Sequence, residues 1–114
     1  MQNLVLVTGY TGKKLKKNVQ GEKSFMYFDL AVRRDYKNAE GEYDTDWVTF
    51  VAYNKNADLL DGVDSGVLLS IQGKVRSFET INEGNVERKQ SLVVDKFYFL
   101  SPKSSKEKKE SEGK

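Results

Sequence analysis

The apolar residues of this chain fall into five short runs rich in Val, Ile, Phe, Tyr and Leu, divided by clusters of Gly, Asn, Asp and Lys. The runs are Leu4 to Thr8, Phe25 to Arg33, Trp47 to Tyr53, Val67 to Phe78 and Gln90 to Leu100. Runs of this composition, bounded by turn residues, are strands. The one helical candidate lies between the third and fourth, from about Asn54 to Gly62, where Asn54 can cap and Ala57, Leu60 and Val63 share a face. Past Pro102, the segment from Lys103 to Lys114 has no apolar residue to offset the entropy of ordering it. The expected organisation is one domain over residues 1–102, followed by a disordered charged tail over 103–114.

Five strands with a short helix between the third and fourth is the order of an OB-fold, a small Greek-key barrel with one binding face. Alternate side chains of a strand point to opposite faces, so each run divides into two sets. In the second run Met26, Phe28, Leu30 and Val32 form the core set, leaving Phe25, Tyr27, Asp29, Ala31 and Arg33 outside. In the third, Val48, Phe50 and Ala52 point inward, and Trp47, Thr49, Val51 and Tyr53 make an outer face too apolar for bare solvent. In the fourth, Val67, Leu69, Ile71 and Val75 point inward, whereas Leu68, Ser70, Gln72, Lys74, Arg76 and Phe78 project outward.

That outward mixture of aromatic and basic groups is what a single strand of nucleic acid requires. Bases stack on aromatic rings for about 1–3 kcal/mol each, phosphates need Lys or Arg alongside, and neither contact reads a base edge. Trp47, Tyr53, Lys55, Lys74, Arg76 and Phe78 form the main constellation. Lys13, Lys14, Lys16 and Lys17 make a basic run in the first connection, which in an OB-fold rims the binding face. The loop from Arg34 to Asp46 carries Tyr36 and Lys37 before turning acidic, and its acidic half is expected to point away from a bound phosphate or to pair with nearby Lys. Two other readings fit the same periodicity: the outer aromatics could pack under a long loop, or they could mark contact with protein.

The folded part gives no hint of nucleic acid in its total charge. The chain carries +2, with 14 basic and 14 acidic residues before Pro102 and 5 Lys against 3 Glu after it. The absence of Cys and His excludes a thiolate nucleophile, an imidazole base and the usual structural zinc sites. Asp44, Asp46, Asp58, Asp61 and Asp64 are carboxylates in search of a metal, but their spacing matches no ligand loop. The expectation is a protein that is not an enzyme and takes no cofactor or metal. No secretory signal opens the chain and no apolar run approaches the length of a membrane span, so the expected location is the cytoplasm.

These residues resemble the bacterial and phage single-stranded DNA-binding proteins of the OB-fold type, over most of Asn3 to Leu100. The motifs that carry the resemblance are Asn3-Leu-Val-Leu-Val7 with Gly9-Tyr-Thr-Gly12, then Phe28-Asp-Leu-Ala-Val32, then Asp44 through Asp58, then Gly73-Lys-Val-Arg76. The resemblance implies that Trp47, Tyr53 and Tyr36 stack on bases or line their groove, and that Lys55 contacts the strand. Where the family places its strand-four aromatic this chain has Thr80, and Phe78, two residues earlier on the same face, is expected to substitute. Lys13, Lys14, Arg33, Lys74 and Arg76 are expected to neutralise phosphate.

The function implied is binding and protection of single-stranded DNA, with little sequence preference, in replication, recombination or repair. The alternatives are an RNA-binding OB-fold module and a primosomal or phage assembly module that uses its aromatic face against protein. A homotetramer or homodimer is the family expectation. Chromosomal members end in an acidic tip closed by an apolar pair that recruits other enzymes, whereas this chain ends in Lys-Glu-Ser-Glu-Gly-Lys114: either it is cut short or, the preferred expectation, it is a phage or plasmid form that recruits replication and recombination proteins differently or not at all.

Overall fold

The computed structural model describes residues 1–102, so the tail expected over 103–114 lies outside the described residues. Six strands form in chain order, β1 (Val5–Thr11), β2 (Asn18–Gln20), β3 (Lys23–Lys37), β4 (Tyr43–Tyr53), β5 (Leu68–Asn82) and β6 (Asn85–Phe99), with α1 (Lys55–Leu60) between β4 and β5. They hydrogen-bond in the order β1-β5-β6-β4-β3-β2, and β1 returns to pair with β3 at Tyr10–Ala31 and Thr11–Leu30. The sheet therefore closes into a ring, the partly open Greek-key barrel of an OB-fold. Beyond the five expected strands, β2 adds three exposed residues to the edge of β3.

The core follows the alternation of the sequence. Met26, Phe28 and Leu30 of β3, Phe50 and Ala52 of β4, and Leu69 and Ile71 of β5 are buried together, with Val32 and Val48 packed against them. α1 closes one end of the barrel by burying Ala57 and Leu60, and Val63 just beyond continues that face. Asn54 stands at the N-cap position but makes no side-chain cap. Its Oδ1 instead accepts from the Ser24 amide, while its own N–H donates to the Ser24 carbonyl, which stitches the start of α1 to β3.

β6 changes face partway along. Leu92 and Val94 point to the core on one side of a register shift, Phe97 and Phe99 on the other, because Asp95 is an extra residue opposite the Gln72–Gly73 step of β5. Such a bulge bends the strand and strengthens its twist, which is how a short sheet closes. Gly73 sits at the bend, where a Cβ would stand 2.3 Å from the Val93 carbonyl oxygen. Only a residue without a side chain lets the two backbones approach so closely.

Two hairpins run well past the core. β3 and β4 meet at a tip where the Asn38 side chain accepts from the Glu40 and Glu42 amides, so the loop expected from Arg34 to Asp46 is mostly paired strand. β5 and β6 stay paired to Asn82–Asn85 and turn through Glu83 (φ 52°) and Gly84 (φ 81°). Two successive residues with positive φ match the twist of the flanking strands, as in a two-residue hairpin. The connection between β5 and β6 is thus the far end of an arm.

Candidate nucleic-acid interface

The basic run of the first connection is pinned, although four of its five residues are lysines. Leu15, in the middle of Lys13-Lys-Leu-Lys-Lys17, is buried in the core, and its N–H donates to Val63 O while its carbonyl accepts from the Gly62 N–H. Thr11 fixes one end by donating its hydroxyl to Asp64 O and accepting from Val67 N. Lys17 fixes the other, its amide donating to Asp61 and its Nζ lying 3.0 Å from Asp58 Oδ1. Anchored at three points, the segment holds Lys13, Lys14 and Lys16 along a rim, so that less conformational entropy is lost when they meet an anion.

Beside that rim, Gly12, Lys13, Lys14, Leu15 and Lys16 line a depression with Tyr27, Phe28, Asp29 and Trp47. A second depression is lined by Tyr27, Tyr53, Arg76, Ser77, Phe78, Ser91 and Val93. Tyr27 belongs to both, so the two are halves of one groove running from the lysine rim across β3 and β4 to the root of the β5–β6 arm. Tyr53 also lines a shallower third depression with Lys55, Asp95, Lys96 and Tyr98. Trp47 is 61% exposed, Tyr27 63%, Tyr53 47% and Phe78 45%. The rings are accessible, which excludes the reading in which Trp47 and Tyr53 pack under a loop. Their neighbour Val51 is buried although it lies on the same outer face, because Tyr27 and Val93 flank it on the adjoining strands.

The groove therefore gathers Trp47, Lys13 and Lys14 in one half and Tyr53, Phe78 and Arg76 in the other, with Lys55 reached past Tyr53. Three of the expected residues stand apart from it. Tyr36 is exposed on the β3–β4 hairpin and lines none of the three depressions. Arg33 lies with its guanidinium carbon 4.8 Å from the centre of the Tyr43 ring, in a separate depression beside Thr8 and Tyr10. Lys74, paired in register with the groove residue Val93, is engaged by Asp95 at 3.3 Å. Tyr27 is the residue that the sequence reading passed over. Its alternation placed it on the outer face, but only the registers Tyr27–Val51 and Val51–Val93 bring it between the two halves.

The acids are organised so that the rim stays positive. Arg34 holds Asp46 through Nε and Nη2 and lies 3.6 Å from Asp44, so two acids of the hairpin's acidic half are met by an arginine where a lysine was expected. This hydrogen bonding lowers the Asp46 pKa below the ordinary carboxylate value. Asp58 is lowered in the same way, first by Lys17 and then by the Ser24 hydroxyl, which donates to it at 2.8 Å. Among the described residues Lys13, Lys14, Lys16, Lys55 and Arg76 form no ion pair. Asp29 is the one acid lining the Trp47 half, and its carboxylate accepts from the Thr49 hydroxyl.

Chemically, the arrangement can hold a flexible polyanion with flat rings, with cations along its rim and four open aromatic faces on its floor. Among the described residues no three of His, Cys, Asp and Glu stand close enough to hold a metal ion, and no helix is long and apolar enough to cross a membrane. Known proteins of the same shape include a Plasmodium falciparum SSB in complex with ssDNA, which has 20% identity and a TM-score of 0.70 over 89% of this chain and 96% of that one. A deletion mutant of the Thermus aquaticus single-stranded DNA binding protein has 12% identity and a TM-score of 0.72 over 88% and 51%. At such identities the likeness shows the fold.

Sequence relatives add more. The single-stranded DNA-binding protein of Staphylococcus epidermidis is 29% identical over 105 residues, covering 91% of this chain and 80% of that protein. That of Streptococcus mutans is 28% identical over 110 residues, covering 94% and 66%. The model of the Single-strand binding protein family matches residues 1–100, the whole of the barrel and both hairpins. With the motif order, the closed ring of strands and the family match in agreement, the chain belongs to the single-strand binding protein family.

Proposed function

We propose that this protein binds single-stranded DNA with little sequence preference, coating and protecting it during replication, recombination or repair, and that it acts by binding without catalysis. The observation that carries this reading is the single groove in which Trp47, Tyr27, Tyr53 and Phe78 stand open beside the pinned Lys13, Lys14 and Lys16 and the unpaired Arg76. The rings stack on successive bases and the cations neutralise phosphates; Lys55 extends the track past Tyr53, and Tyr36, Arg33 and Lys74 meet longer strands. Selection of single strands follows from stacking, since paired bases hide their faces inside the duplex.

The active form is a homo-oligomer. β1 pairs with β5 along one edge but with β3 only at Tyr10 and Thr11, and Gly9 packs closely against Ala31, so the open edge runs from Val5 to Thr8. Leu4, Leu6 and Tyr10 are exposed beside it. An open edge with apolar side chains favours pairing with a second copy.

The chain has one Trp, so titration of its fluorescence tests the groove directly. The expected result is that oligo(dT) quenches Trp47, that a duplex of equal length does not, and that salt reverses the effect. With Lys13, Lys14, Lys16, Lys55 and Arg76 each neutralising one phosphate, log K falls against log salt with a slope of about −3.5, at roughly −0.7 per phosphate. A flat salt response, or equal quenching by duplex, refutes the reading. A matched RNA oligomer that binds more tightly than the DNA reassigns the strand.

A further inference from the structure

We infer that Gly12 is a positioning residue for Trp47: the missing side chain at this position is the seat that lets the indole lie against the lysine rim with a face open to the groove. The inference rests on the proposed binding of single-stranded DNA and names a part of the apparatus that neither charge nor aromaticity reveals.

The geometry is specific. A Cβ built on Gly12 would stand 2.8 Å from Cζ3 of Trp47, 3.5 Å from Cη2 and 3.8 Å from Cε3, so the six-membered ring of the indole occupies the space a side chain would take. Carbon atoms in contact sit about 3.5–4.0 Å apart, so even alanine intrudes on the ring by about 0.7 Å or more. The backbone gives no other reason for glycine. Gly12 is not among the residues with positive φ, unlike Gly21, Gly41, Gly62, Gly66 and Gly84, and its N–H donates to Asp29 O at 3.3 Å in an ordinary cross-strand bond.

Of the two partners, Trp47 must yield. Gly12 directly follows Thr11, whose backbone and hydroxyl are bonded to Asp64, Gly66 and Val67, and it precedes the anchored Leu15. The indole, by contrast, is 61% exposed and projects from the outer face of β4 opposite the small Ala31. A methyl group at position 12 therefore swings the ring off its seat and leaves the core alone. The ring then loses its alignment with Lys13 and Lys14, so the base it stacks on and the phosphate beside that base are no longer met together.

The test uses Gly12→Ala in the full chain, alone and combined with Trp47→Ala, read by fluorescence of the free protein, thermal unfolding, and affinity for fluorescein-labelled oligo(dT). Gly12→Ala should shift the emission maximum of the free protein, leave the unfolding midpoint within a few degrees, and weaken binding at least about fivefold, the lower end of one stacked base. In the Trp47→Ala background the same substitution should change affinity less than twofold. An unshifted emission spectrum overturns the seating, as does an equal loss of affinity with and without the indole. If wild type fails to bind oligo(dT), the proposed function falls, while the emission of free Gly12→Ala still decides whether Gly12 seats the ring. Unfolding of Gly12→Ala would make Gly12 a structural residue and refute the positioning role.

Discussion

Tyr27 and Tyr36 offer a matched pair of perturbations, because they are 63% and 62% exposed and lie on the same strand, yet only Tyr27 lines the groove. In each, a little over a third of the side chain is covered. For a tyrosine of about 200 Å² that is roughly 75 Å², and at about 25 cal/mol per Å² the truncation to alanine costs at most about 2 kcal/mol of stability. The two variants should therefore unfold within about 1 kcal/mol of each other, so a difference in binding cannot be blamed on folding. Tyr27→Ala removes a platform shared by both halves of the groove and should cost about 1–3 kcal/mol, or roughly 5- to 150-fold in Kd, with oligo(dT) of any length that fills the groove. Tyr36→Ala should leave a short oligomer of about eight nucleotides within twofold of wild type, and weaken only oligomers of about thirty, long enough to run from the groove along the hairpin. Both variants keep Trp47, so quenching remains the assay. If Tyr36→Ala weakens the short oligomer as much as Tyr27→Ala does, or Tyr27→Ala has less than a twofold effect at both lengths, the groove centred on Tyr27 is not the binding track.

Gly73→Ala places a Cβ 2.3 Å from the backbone oxygen of Val93 with Phe50 behind it at 3.6 Å, so the barrel must open at its bend. The expected cost is at or above the upper end of ordinary overpacking, about 3 kcal/mol, lowering Tm by about 12 °C or more in a calorimetric scan. The Asp58 carboxyl has its pKa lowered in the folded protein by Lys17 and Ser24, so the stability it contributes is present above the unfolded value of about 3.9 and is lost as pH falls through the folded value. Chemical denaturation from pH 5 to pH 2 should accordingly show less loss of stability in Asp58→Asn than in wild type; identical profiles would mean the contact does nothing in solution. With no His and no Cys, no side chain ordinarily titrates between pH 5.5 and 7.5, so affinity for oligo(dT) at constant ionic strength should be flat over that range.

The barrel was legible because its inner wall is written with a period of two. Met26, Phe28 and Leu30, and likewise Phe50 with Ala52, are buried as alternation requires. Where a segment leaves the core the pattern stops carrying information. Tyr43 to Asp46 and Ser77 to Thr80 are polar or exposed on both faces, so nothing but backbone pairing and tip chemistry, the Asn38 turn and the Glu83-Gly84 pair, extends the hairpins. β2 has no buried residue at all and is held by the register of its neighbour. The bulge at Asp95 left a trace in the sequence: core residues move from Leu92 and Val94 to Phe97 and Phe99, which a single alternation cannot accommodate.

The site was legible in its residue types and less so in their assembly. Trp47, Tyr53 and Phe78 could be placed on outer faces strand by strand, but what makes a groove of them is the pairing of β4 with both β3 and β6, and through β6 with β5. Register across four strands decides that Tyr27 joins the halves and that Arg33 meets Tyr43 instead. The same holds for charge. A folded part with equal numbers of acids and bases binds a polyanion only if its acids are occupied elsewhere, and here Asp58 takes Lys17, Asp44 and Asp46 take Arg34, and Asp95 takes Lys74. Each of these pairs is exposed enough to add little to stability. Their consequence is spatial: Lys13, Lys14, Lys16, Lys55 and Arg76, which stand beside the open rings, are among the cations outside these pairs, so charge that cancels in the sum is positive locally along the groove.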